Sequence, residues 1–361
     1  MNYTLKSAVM LATVLATLQS CDKDPVEFSE PKTPVPSTYS FDNVNYSGQT
    51  ARLNQLEELS AYLKTANTSG VELDVEVIRA MFENSGGDGN GNFSFSSDKQ
   101  LVDKCFQPHL DRFDDYFIQI AAASTSNEPA SNGVAGVMVD GDKSYLFDEN
   151  GFEYTQLIEK GIMGAVFYYQ ATEVYLGSSK MNVDNETVEE GKGTAMEHHW
   201  DEAYGYLGVT NDFPENTEDI RFWGKYCVSR DGLLGTNEHL SGAFRAGRAA
   251  IVLDRYDERD SAIAEIRKSW EDVSAATAVH YLNEGLANMS NDLTRNHVLS
   301  EAYAFVGNLF YNPEKRITQS EIDQVLDLIG TNLYEVNADD LQEARDLLSD
   351  IYGYEDVKTA L

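Results

Sequence analysis

The chain has 361 residues, 42% of them hydrophobic, with 60 acidic and 27 basic side chains and a formal net charge of −33. That apolar content suffices for one large core or two smaller ones. A surface this acidic repels nucleic acid and anionic lipid, so neither is expected as a partner.

In chain order, Lys6 and the apolar run at residues 8–18 read as a targeting segment. The run is shorter than the roughly 20 residues that span a bilayer. It ends in Leu18-Gln19-Ser20-Cys21, similar to a bacterial lipobox. Residues 1–20 are then a signal peptide and Cys21 carries lipid; an ordinary secretory signal is the alternative. Residues 21–45 hold four of the eight prolines (Pro25, Pro31, Pro34, Pro36) and read as an extended tether that does not pack. Localisation follows: the cell envelope, with the membrane reached only through the lipid.

Residues 46–361 read as all-α with a small β-hairpin, in two halves at 46–210 and 211–361. Leu53, Leu56, Leu59 and Leu63 repeat at helical spacing. A second amphipathic run covers residues 71–82, and residues 84–92 form a Gly/Asn/Asp loop. Ser97-x-x-Gln100 is a capping-box pattern that predicts a helix to about Ala123. Residues 134–148 alternate around Asp140-Gly141, which predicts the hairpin. Residues 152–178 form a long aromatic helix, followed by a polar loop to Gly193 and a helix with His198. Helices follow near 216–228, 238–255, 258–288 and 294–310. Thr318-x-x-Glu321 and Asn337-x-x-Asp340 cap two more. In an exported chain Cys105 and Cys227 could pair or stay as buried thiols.

One pattern occurs twice. His198 to Gly208 and His297 to Gly307 both read His-x-x-x-Glu-Ala-Tyr-x-aromatic-aliphatic-Gly. His and Glu four apart on a helix project from one face. Imidazole with carboxylate inside a helical bundle suits iron, zinc or manganese. The candidate ligands are His198, Glu202, His297 and Glu301, with His199 (three before Glu202), His280 and Glu284 as further choices. The bland alternative bonds each His within its own helix and each Glu to an arginine such as Arg245 or Arg248. Phe222-Trp223-Gly224-Lys225-Tyr226 offers either cleft walls, at Trp223 and Tyr226 near Trp200, or core. Asp88-Gly89-Asn90-Gly91-Asn92 begins like a calcium loop, but Phe93 and Lys99 replace the Gly and Glu such a loop needs, so it reads as loop. No His-Glu-x-x-His, nucleophile triad or phosphate-cradling Gly loop occurs, so no catalytic residue is assigned.

The His199-x-x-Glu202 element in an exported helical lipoprotein resembles the imelysin-like family. The His198–Gly208 segment with Phe222 to Tyr226 is similar to a related uncharacterised bacterial lipoprotein family. The imelysin motif has Gly two positions before its His, where this chain has Glu197. The resemblance implies two helical bundles over residues 46–361. It also implies a metal-associated role, in iron acquisition with envelope iron-uptake proteins as partners. Peptidase activity is implied only through the metallopeptidase description first given to that family. The alternative reading is a non-enzymatic surface module that binds a peptide, glycan or partner protein.

Overall fold

The computed structural model describes residues 33–361, which form one compact unit. The expected signal peptide, Cys21 and the first part of the tether lie outside the described residues. The fold is all-α with one hairpin. Its helices are α1 (Ser47–Lys64), α2 (Val75–Glu83), α3 (Leu110–Ser124), α4 (Tyr154–Ile162), α5 (Ser178–Met181) and α6 (Ala195–Gly205). They continue with α7 (Trp223–Leu234), α8 (Thr236–Val252), α9 (Tyr256–Ala287), α10 (Asp292–Asn308), α11 (Gln319–Ile329) and α12 (Ala338–Tyr352).

The 32-residue α9 is the spine, packed by α8, α10 and α12. Its middle, Ser274-Ala275-Ala276-Thr277-Ala278, is buried. Small side chains there let neighbouring backbones come close, while Trp270 fills the space a turn earlier. Packing of α4 on α10 and of α6 on α8 crosses the expected boundary at 210/211. The hairpin forms as its turn chemistry requires. Strands β1 (Gly136–Asp140) and β2 (Lys143–Phe147) pair antiparallel with Asp140 opposite Lys143, and Gly141 takes φ +61°.

Three expectations are corrected. The helix predicted from Ser97 begins only at Leu110. Ser97 Oγ accepts the Lys99 amide, but Cys105 and Phe106 are extended and Phe106 donates its amide to Ala165 O. The aromatic helix at 152–178 is helical, but after α4 it widens into two π-helical stretches, Met163–Tyr168 and Gln170–Tyr175. Within them, a Cβ at Gly164 would stand 1.9 Å from Asn308 Oδ1. The third correction concerns the tether. From Thr33 onward it packs: Tyr39 is fully buried and stacks on Tyr204 at 3.7 Å, and Arg245 Nη1 donates to Pro36 O and Ser37 O. Two aromatics, Tyr39 and Phe41, supply burial that the proline-rich composition conceals.

Cys105 and Cys227 are unbonded and buried, and burial pushes each thiol up to about 12. Neither should react with a thiol reagent in the native protein, and both should react after unfolding; labelling of either in the folded state would contradict their burial.

Candidate functional site

Thr194 opens α6 through a capping box with Glu197, which fixes where the first copy of the repeat begins. Helix α6 packs on α1, α8 and the second π-helical stretch, whereas α10, which carries the second copy, packs on α4, α9 and α11. The two copies therefore have different surroundings. Among the described residues no group of three or more His, Cys, Asp and Glu side chains is arranged to hold a metal ion.

At the second copy, His297 Nδ1 lies 2.6 Å from Glu153 Oε2, and its ring stacks on Tyr145 of β2 at 4.2 Å. His297 Nε2 is 3.8 Å from Glu301 Oε1, and Lys160 Nζ is 4.0 Å from the same oxygen. Burial pulls the imidazole pKa down, but the hydrogen bond and charge of Glu153, with Glu301 behind it, hold it above the ordinary value. The two carboxylates face opposite ring nitrogens and cannot share one ion through this ring. His280 Nδ1 turns to Leu361 O at 2.6 Å, with no hydrogen bond to Glu284. Trp200 and Trp223 are fully buried, their indole N–H groups donating to Phe244 O and Met163 O. Of the expected cleft residues these two are core, and Tyr226 packs edge-on to Phe305, which also meets Trp223.

At the first copy, His199 Nδ1 rather than His198 contacts Glu202, at 3.1 Å, and Gln49 donates to the other carboxylate oxygen at 3.2 Å. Burial raises the Glu202 pKa, yet these hydrogen bonds bring it below the ordinary carboxylate value. His198 and Glu202 line a cavity of about 340 Å³ between α1, α6 and the end of the second π-helical stretch. Four cationic side chains also line it: Arg52, Lys99, Lys104 and Lys192. Tyr175, at the close of the π-helical stretch, completes one wall; Lys104 Nζ lies 3.1 Å from its hydroxyl. Wide helical turns recur at functional sites. Burial, then the charge of Arg52, holds the Lys104 pKa below the lysine value. Burial likewise lowers the His198 pKa.

A bare metal ion beside His198 and Glu202 would sit among these cations. With one carboxylate against four positive side chains, the donor set there does not fit one. The cations were not singled out in the sequence. A signal existed for Arg52: with Gln49, Leu53 and Leu56 it lies at i, i+3, i+4 and i+7 on the buried face of α1, a charge inside an apolar stripe.

Fold and cavity together define a mostly helical protein with a basic, partly enclosed site in an otherwise acidic molecule. The chain belongs to the family described as Domain of unknown function (DUF4856), whose model matches residues 36–354. That match begins inside the expected tether, at the segment that packs. No curated protein and no solved structure matches the chain.

Proposed function

We propose that the protein is an exported, lipid-anchored, non-enzymatic binding protein of the cell envelope, holding a small ligand in the cavity beside His198 and Glu202. The lipobox-like Leu18 to Cys21 supports the anchoring. The observation that carries the binding reading is the cavity itself: about 340 Å³, within the range of small-molecule sites, with convergent polar groups in its lining. Ligand binding to the native state raises the melting temperature, so thermal melts against neutral sugars, short peptides, organic and inorganic anions, zinc and ferrous iron test it. At least one class should stabilise the protein and lose that effect in Ser47→Trp, which plugs the mouth at an exposed position. If no class does so, the binding reading fails.

A second reading keeps the metal association that the imelysin-like resemblance implies, at His297 and Glu301. It is supported by His297 Nδ1 resting on Glu153, the orientation that frees Nε2 toward Glu301, and by a buried, unpaired Glu301 Oε2. In the same melts, zinc or ferrous iron would then stabilise Ser47→Trp as well as the wild type, and His297→Ala would abolish the effect. No stabilisation by either metal removes this reading.

A further inference from the structure

Five arginines are buried among the described residues: Arg52, Arg245, Arg248, Arg259 and Arg295. Four of them pair with carboxylates. Arg245 meets Glu238 at 2.6 Å, Arg248 meets Glu197 at 2.6 Å and Asp201 at 3.0 Å, Arg259 meets Asp260 at 2.7 Å, and Arg295 meets Asp292 at 2.9 Å. Arg52, only 6% exposed, has no such partner in a chain with 60 acidic side chains. It donates to two carbonyls, Gln100 O at 2.8 Å and Gly48 O at 3.2 Å. A buried guanidinium without a counter-charge is costly, and a ligand that supplies the charge recovers that cost.

The surroundings of Arg52 have the same sign. Lys104, half-buried, likewise forms no ion pair among the described residues and rests on the Tyr175 hydroxyl. Lys99 and Lys192 pair only with Asp98 and Glu189 at the exposed rim, where such pairs are weak. Glu202, the one carboxylate in the lining, is already held by His199 and Gln49. The first turn of α1, which also lines the cavity, carries no acidic residue, so its positive dipole end adds to the cationic lining. A net charge of −33 repels anions at long range, so attraction here is local to the cavity and not a property of the whole surface.

We infer that the cavity between α1 and α6 binds a small molecule through an anionic group, a carboxylate or a phosphate, anchored by Arg52 and Lys104. This rests on the reading of that cavity as the binding site. Arginine forks match both oxyanions in two-point geometry, and Lys104 adds a point charge.

Isothermal titration calorimetry of the folded protein with citrate and with inorganic phosphate, at low ionic strength, tests the assignment. One of the two should bind with one-to-one stoichiometry: citrate alone identifies carboxylate chemistry, phosphate alone identifies phosphate chemistry. Lys104→Gln, at a partly exposed position that leaves the core intact, should weaken binding at least about 10-fold, because a hydrogen bond to a charged group is lost. Lys104→Arg should restore most of it. Arg52→Gln should abolish binding, with circular dichroism verifying its fold. Unchanged affinity in Lys104→Gln would overturn the assignment. So would binding of a neutral sugar or peptide, blocked by Ser47→Trp, when neither anion binds; the binding reading would then stand without the anion. If nothing binds at all, both fall.

Discussion

Arg248→Ala is expected to lower stability by roughly 3–5 kcal/mol, with a fall in melting temperature on the order of 5–10 °C. Arg248 is fully buried on α8. Its Nε lies 3.0 Å from Asp201 Oδ1 and its Nη1 2.6 Å from Glu197 Oε1, both on α6. The Tyr39 hydroxyl donates to the same Asp201 oxygen at 2.7 Å, and the guanidinium sits 5.1 Å from the Phe41 ring centroid. One arginine thus clamps α6, α8 and the segment before α1. Its removal leaves two carboxylates facing the interior without a counter-charge.

The deficit should depend on pH. Burial pushes Asp201 up to about 6 even with Arg248 holding it down. The folded state therefore binds this proton more tightly than the unfolded chain, and the stability tied to Asp201 falls as pH rises from the ordinary carboxylate value through about 6. Without Arg248 that folded pKa climbs further. Arg248→Ala should then be closest to wild type near pH 5 and furthest from it near pH 8, as measured by chemical denaturation at the two values. A deficit independent of pH would mean that lost packing, not lost charge, is responsible. Removing Asp201 as well, in Arg248→Met with Asp201→Asn, should cost less than Arg248→Ala alone, because the orphaned charge goes with its partner.

What the sequence made legible and what it hid divide along the range of the forces involved. The hairpin was legible because Asp140-Gly141 dictates a local turn. The caps at Thr318 and Asn337 were legible because a side chain closes on its own helix, and both form. The helix expected from Ser97 failed because the local pattern met a long-range competitor, the Phe106 amide bonded to Ala165. The π-helical turns were invisible, since buried aromatics at 163–175 satisfy either helical period. The packing of residues 33–45 was missed for a related reason: a few buried aromatics outweigh the composition around them. At the site, His198 and Glu202, read from their spacing as metal ligands, line one wall of a cavity. The opposite wall comes from Arg52, Lys99 and Lys104, brought there by the packing of α1 against α6 and of the chain before α3 against the second π-helical stretch. No local periodicity encodes that meeting. The duplicated pattern did encode two similar helices, but its two copies acquire different neighbours: Lys160 and Glu153 around His297, the basic lining around His198.

Gly247→Ala offers the sharpest test of the packing between α6 and α8. On helix propensity alone, alanine should stabilise an interior helical position by about 1 kcal/mol over glycine. The opposite is expected. A Cβ at Gly247 would stand 2.1 Å from both Cζ2 and Cη2 of Trp200 and 3.0 Å from the Ala262 Cβ. The indole cannot swing aside cheaply. Its N–H donates to Phe244 O at 3.0 Å, and the ring packs edge-on against Phe244 and is fully buried. Relief therefore requires α6 and α8 to separate, which strains the Arg248 clamp one residue along the same helix. The overpacking cost, roughly 1–3 kcal/mol or somewhat more, exceeds the propensity gain. Gly247→Ala should accordingly melt below the wild type. Trp200→Phe removes the clashing edge, so the two substitutions together should cost less than the sum of their separate effects. If Gly247→Ala proves more stable than the wild type, the close approach of the two helices at Trp200 is not present in solution, and the geometry of the cavity that α6 helps to form would have to be redrawn with it.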